Sequence, residues 1–310
     1  MPQSQANLIP DYEPWPALTY QEFAPTAYLL HMSVQAIGKL KLRAPFQPHW
    51  DHVPLLVTAS GLTSGPIPYN EGEFTIDLDF INHHLLCKTS WGQEHGFALA
   101  ARSVAAFTSL LFTTLKSVGI EIIINTKPQE VANPIPFEQD TQPRPYDAVL
   151  VNAWWRILLS SRQVMERYHA RFLGRTPEIG LMWGTFDLRD VRYNGHPIRV
   201  DPKAMDYIGR NAMDAQMVEV GWWPGDESYP QAAYFSFTYP QPQGIEQAKI
   251  QPKSAGWNPE KKEFILNYAD VRNSQNPESD LLAFFESSFQ AGAERSKWDP
   301  QLIGSGKPVL

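Results

Sequence analysis

The sequence predicts an α+β fold of antiparallel or mixed sheets backed by long helices, and three observations carry that expectation. A chain of 310 residues, 43% hydrophobic and 19% charged, is large enough to bury one large core or two ordinary ones. Apolar residues recur at helical spacing in long segments, each opened by a helix-starting residue. Between those segments, strict alternation such as Phe74-Thr-Ile-Asp-Leu-Asp-Phe80 marks strands with one apolar and one polar face.

Taken in order, residues 1–16 form an N-terminal tail, because Pro10, Pro14 and Pro16 oppose regular pairing. Pro25 suits a first helical position, and Leu30, Val34 and Ile37 make a buried stripe that runs to about Lys39. Residues 53–60 are β-rich, with Pro54 placing them at an edge or just inside a strand's start. The strand at 74–80 pairs with a hairpin partner at 85–89. Ser103 caps a helix that buries Phe107, Leu110, Leu111, Thr114 and Val118, and Gly119 ends it. A further strand is expected at 121–126.

The proline-rich passage then reads as a linker, 128–146, between a first α+β half at 17–127 and a second at 147–298. The second half opens with a helix over 147–172 that turns Trp154, Ile157, Leu158, Met165, Tyr168 and Phe172 to one side. Strands follow at 179–189, 233–239 and 264–268, with a long Gly/Pro-punctuated passage up to Pro230. Asn276 and Pro277 cap and start a last helix to about Lys297, and residues 299–310 are a C-terminal tail. Both halves read helix, strands, helix, the order a duplication would leave.

Composition excludes more than it names. A single cysteine, Cys87, rules out an intrachain disulfide and a thiolate-rich metal centre. A net charge of −7 with interspersed signs gives no footprint for nucleic acid and no basic helix for a membrane. No apolar run reaches spanning length, and the N-terminus lacks a secretory signal's basic start and apolar centre. The expectation is a soluble, cytoplasmic protein. No phosphate-cradling loop, dinucleotide fingerprint, serine elbow or zinc-protease helix occurs, so no nucleotide cofactor is expected. The ten tryptophans suit a ring-filled core.

Four groupings could carry chemistry. His49, His52, Asp77, Asp79 and His83 are donors that suit a divalent metal if neighbouring strands bring them together, although Asp77 and Asp79 equally suit a solvated strand face. His31, Gln35 and Lys39 share a helix stripe that could meet a ligand, and Arg156, Gln163 and Arg167 could hold a carboxylate or phosphate or simply form a wet face. Trp183, Phe186 and Asp187, with Trp222 and Trp223, could wall a pocket for a sugar or flat apolar ligand, or fill a core around one satisfied acid. Cys87, alternating with Leu85, reads as a small buried residue. The leading functional expectation is a small-molecule-binding protein whose cleft is lined by Trp183, Phe186, Asp187 and Trp223, with His31 and His49 as polar contacts. The alternatives are a metal-dependent hydrolase using His49, His52 and His83 with Asp77 or Asp79, and a structural or partner-binding role.

Several motifs together resemble a bacterial family catalogued as a domain of unknown function. They include Trp15-Pro-Ala-Leu18, His52-Val-Pro-Leu55, Gly61-Leu-Thr-Ser-Gly-Pro-Ile-Pro-Tyr69, Ile76-Asp-Leu-Asp-Phe80, Trp183-Gly-Thr-Phe-Asp-Leu188 and Trp223-Pro-Gly225. The resemblance covers about 15–298 and implies no activity. It also implies a histidine three positions before Trp183 and a His-Glu pair ahead of Trp223. This chain has Gly180 and Ala215-Gln216 there. None of these can act as an imidazole ligand or a carboxylate base, so chemistry resting on those positions is lost or moved.

Overall fold

Thr19 caps the first helix, its hydroxyl accepting from the Glu22 amide, so α1 (Tyr20–Lys41) starts ahead of Pro25 and contains it. In the computed structural model, residues 12–199, 201, 203 and 207–302 are described; the outer parts of both expected tails, 1–11 and 303–310, lie outside the described residues. The described part of the first tail is docked: the carbonyls of Pro14, Trp15 and Pro16 accept from Ser160, Arg272 and Tyr268.

After α1 come β1 (Leu56–Val57), β2 (Gly61–Thr63), β3 (Ile67–Tyr69), β4 (Gly72–Asp79), β5 (His84–Thr89), β6 (Glu94–Ala98) and α2 (Val104–Ser117). They form an antiparallel sheet of order β1-β2-β4-β5-β6, in which β3 also pairs with the start of β4. The alternation seen in 74–80 is borne out: Phe74, Ile76, Leu78 and Phe80 are buried, and Asp77 points the other way to Thr63 and Lys88. Ser103 caps α2 as expected. The strand expected over 53–60 shrinks to two residues. That expected at 121–126 does not form, because the Glu121 amide is taken by the Tyr69 hydroxyl and Ile123 stands 97% exposed.

The passage 128–146 is packed against both halves. Phe137 is fully buried, and Asp140 accepts from Tyr28 at 2.7 Å. Beyond it lie α3 (Ala148–His169), β7 (Gly180–Met182), β8 (Asp187–Pro197), α4 (Tyr207–Ala212), β9 (Ala215–Trp223), β10 (Ala233–Tyr239), β11 (Gly256–Asn258), β12 (Glu263–Asn267), α5 (Tyr268–Arg272) and α6 (Pro277–Arg295). Asp147 caps α3 and Asn276 caps α6 through their side-chain oxygens. The second sheet is antiparallel, of order β11-β12-β10-β9-β8-β7. Most of β8 and all of β9 lie in a passage with no strand signal, since both strands are buried on both faces and alternation disappears in that setting.

The helices α3 and α6 cover one face of this sheet. On that face the Arg192 guanidinium lies over Tyr168 and Phe289, 3.4 and 4.2 Å from their ring centres, and donates to the Tyr168 carbonyl. Asp190 beside it accepts from His169 at 2.9 Å. One apolar cluster runs through both halves.

The two sheets meet edge to edge. Leu55 and Leu181 exchange amide–carbonyl bonds of 3.0 and 2.7 Å, closing the edges of β1 and β7 on each other. Gly180 permits this approach: a Cβ there would lie 2.6 Å from Pro54 Cβ and 3.1 Å from the Leu55 oxygen. Among the described residues, no helix is long and apolar enough to cross a membrane. We predict that Gly180→Ala costs about 1–3 kcal/mol, the usual range for overpacking, read as a lower urea midpoint. An unchanged midpoint would mean that the sheet edges can part freely.

Candidate functional site

The turn between β7 and β8 positions the site, and three groups from the first half hold it. His31 Nε2 donates to the carbonyls of Trp183 and Gly184 at 3.1 and 2.9 Å. Burial pushes its pKa down to about 4, against the pull of those two bonds, so the ring is neutral. Phe186, with a left-handed φ of 64°, is stacked between His31 and Trp154 at 4.8 and 5.1 Å. The Gln35 amide clasps the main chain of Gln129, donating at 2.7 Å and accepting at 2.9 Å. The Trp183 indole donates to the Val53 carbonyl at 3.1 Å, with its ring against Gly38 of α1.

His31, Gln35, Trp183 and Phe186 are therefore spent on fixing this turn. Lys39 is buried with no ion pair among the described residues, and burial alone pushes its pKa down to about 8.

Held this way, the turn releases Asp187 as the first residue of β8. Asp187, Arg189, Val191 and Tyr193 alternate with Asp190 and Arg192, so they face away from α3 and α6. On the same face of β9 stand Met217, Glu219, Gly221 and Trp223, in register with β8. Arg189 Nη1 lies 3.4 Å from Glu219 Oε2, and both side chains are buried. Burial pushes Asp187 up to about 6 and Glu219 up to about 7, in each case against the pull of Arg189. On β12, Glu263 is pushed to about 7 by burial, with Glu219 and Asp187 adding repulsion. The apolar part of this face is Phe235, whose ring occupies the space over Gly221, and the half-buried Trp223, 5.7 Å from it.

His49 reaches the same face from a short 3-10 turn, Pro48–Trp50. His49 and Trp50 hold φ of 65° and 62°, a conformation that costs a non-glycine residue of order 1 kcal/mol or more. The result is a His49 ring stacked flat on Tyr193 at 3.8 Å, with Nδ1 donating to Asp214 at 2.5 Å. Its main-chain oxygen accepts from Arg189 at 3.5 Å. Among the described residues nothing bonds its Nε2. The contrast is His169, whose two nitrogens meet Asp190 and Thr176 at 2.9 and 2.7 Å.

The expected metal set does not assemble. His52 accepts from the Gln47 amide, Asp77 is taken by Thr63 and Lys88, Asp79 closes the 81–82 turn, and His83 meets Tyr146 at 2.9 Å. Each is satisfied locally, and among the described residues no three His, Cys, Asp or Glu are grouped to hold a metal. Arg156 and Arg167 bond the docked tail and Glu278 of α6, and Gln163 is exposed. Burial pushes the Cys87 thiol up to about 12, helped by Asp77, which suits an inert core residue.

Sequence reasoning missed Arg189, Asp214, Glu219 and Glu263. The one available signal was charge inside apolar runs, as in Val218-Glu219-Val220. The titration of Glu219 gives a test. The folded chain keeps it protonated up to about pH 7, whereas an ordinary glutamate ionises near 4.5. Its contribution to stability is thus complete below about 4.5 and lost as the pH rises through about 7. E219Q should gain on the parent, by up to roughly 3 kcal/mol, as unfolding is followed from pH 5 to pH 8. A constant difference would mean that Glu219 is ionised throughout.

No curated protein and no solved structure matches the chain. A model described as "Family of unknown function (DUF5996)" matches residues 15–305, which bears out the resemblance read from the motifs: the chain belongs to that family.

Proposed function

We propose that the chain binds a small polar molecule on the face of the second sheet that carries Asp187, Arg189, Glu219 and Trp223, with His49 at its margin. The observation that supports this most is the buried Arg189–Glu219 pair with Asp187 beside it. Burying charge costs several kcal/mol per ion before pairing repays it, and well-packed apolar residues would stabilise a sheet as well or better. A stability role alone therefore explains the cluster poorly, and perturbed acids grouped around one arginine are a common property of binding sites. Trp223 and Phe235 supply an apolar wall, and Arg189 and the acids supply orientation.

A second, catalytic reading is favoured by His49 alone. One ring nitrogen held by a carboxylate leaves the other oriented to take a proton, the arrangement general bases use. A metal-dependent hydrolase loses its support because its donors lie apart. A bacterial, cytoplasmic setting is part of the proposal, since one buried free cysteine suits a reducing compartment.

Thermal melts with a panel of sugars, organic acids, amines and nucleotides test the binding. A true ligand at a hundredfold excess over its Kd should add about 2.7 kcal/mol of stability. That gain should fall sharply in E219Q and in H49N. If no compound stabilises the parent, or if the gain survives both substitutions, the reading fails.

A further inference from the structure

A second concave site lies in the first half, where the turn from β3 to β4, the turn from β5 to β6 and the end of α2 come together. The cleft has a volume of about 420 Å³, within the range that small ligands occupy. It is lined by Tyr69 and Trp91, by Gly72, Ser90 and Gly119, and by the exposed Asn70 and Glu71.

Both aromatic rings are fixed in place, Trp91 exposed and Tyr69 half-buried. Trp91 is 42% exposed, yet its indole donates to the Val118 carbonyl at 3.1 Å. The Tyr69 hydroxyl accepts from the Glu121 amide at 3.0 Å. The two rings stand 6.3 Å apart and tilted by 38°. Gly72 is covered by Ser90 and the Trp91 ring, whereas the space beside Gly119 is open, since at φ +83° it has no atom within 4 Å of where a Cβ would stand. A residue with a side chain would be strained there and would begin to fill the cleft. At the rim, no hydrogen bond to the Asn70 amide or the Glu71 carboxylate is made among the described residues. These are unspent polar groups beside an exposed Trp91 held in place by its hydrogen bond.

We propose that this cleft binds the ring of a neutral saccharide. A pyranose has one face of C–H bonds, which suits the exposed face of Trp91, and equatorial hydroxyls that both donate and accept. Glu71 accepts from such hydroxyls and Asn70 does both. A flat base would need a parallel slot, which rings tilted by 38° do not form. A phosphate or carboxylate would need a cation, and the cleft has none among its lining residues. The rival occupant is an organic cation held by Glu71 and the aromatic faces.

The test is fluorine NMR of the full chain carrying 5-fluorotryptophan, with the Trp91 signal assigned by its loss in W91F. Cellobiose, maltose and chitobiose are titrated separately, with benzyltrimethylammonium as the cationic probe. We expect saturable movement of the Trp91 signal by at least one disaccharide, with affinity in the millimolar range. Affinity should fall by about tenfold in Y69A, as loss of an aromatic contact implies, and also in a combined N70A and E71Q variant. The movement should be unchanged in E219Q, which separates this cleft from the second-sheet site. If no disaccharide moves the signal, if only benzyltrimethylammonium does, or if the movement survives loss of the rim groups, the saccharide assignment is overturned.

Discussion

Two amide–carbonyl bonds, from Leu55 to Leu181 and back, close the edge of one sheet on the edge of the other, and much of the second half takes its position from them. Unpaired strand edges are costly and invite the wrong partners. Once these edges meet, Trp183 stands two residues beyond the junction, within reach of the Val53 carbonyl. The chain must then reverse at once into β8, and it does so through a turn with Phe186 in a left-handed conformation. Irregular backbone of this kind leaves carbonyls without sheet partners. His31 and Gln35 supply the partners, reaching across from α1. The turn is thus a product of the junction, and the direction of Asp187 is a product of the turn.

The two faces of β8 show how differently buried charge can be used. On the helix side, Arg192 is enclosed by Tyr168 and Phe289 and bonds a carbonyl, while Asp190 is bound by His169, which is in turn bound by Thr176. That network joins α3, α6 and the strand, and its histidine has no free ring nitrogen. On the other side, Arg189 faces Asp187 and Glu219 together, with Glu263 nearby. Arg189 answers Asp187 and Glu219, and Lys261 answers Glu263, but burial outweighs both cations and raises all three carboxyl groups toward neutral pH. His49 beside them has one nitrogen committed to Asp214. The first arrangement commits its histidine fully while Asp190 Oδ2 and Arg192 Nε stay unbonded, and the second leaves Nε2 of its histidine without a partner among the described residues.

What the sequence could reveal follows from this. The strands at 72–79 and 84–89 were legible because one face meets water, and the long helices because of their apolar stripes and, for two of them, the caps Ser103 and Asn276. In β8 and β9 both faces are buried. Their charged residues, which carry the candidate site, then look like loop polarity. His31 and Gln35 misled in the opposite sense: polar groups at helical spacing suggest a surface or a ligand, but these satisfy a main chain some 150 residues away. The His49–Asp214 pair spans 165 residues, and no local pattern encodes such a contact. The histidines and aspartates near residues 49–83 had the right chemistry for a metal but not the geometry, because each found its own neighbour.

The register of the second sheet adds one further step. Gly180 pairs with Arg189, and Arg189 pairs with Gly221, so the arginine sits in a row between two residues without side chains. Pro54 fills one gap and the Phe235 ring the other. Ala215, which shares its face with Met217 and Glu219 by strand alternation, belongs to the same surface. The positions where the family resemblance implies histidines, 180 and 215, therefore both fall on the face that carries the buried charges. An imidazole at 180 would have to displace Pro54 and part the sheet junction, so in this chain the junction and a histidine at 180 exclude each other. With that position occupied by the closed edge, the imidazole that does reach this face is His49, brought there on a left-handed turn beside Arg189.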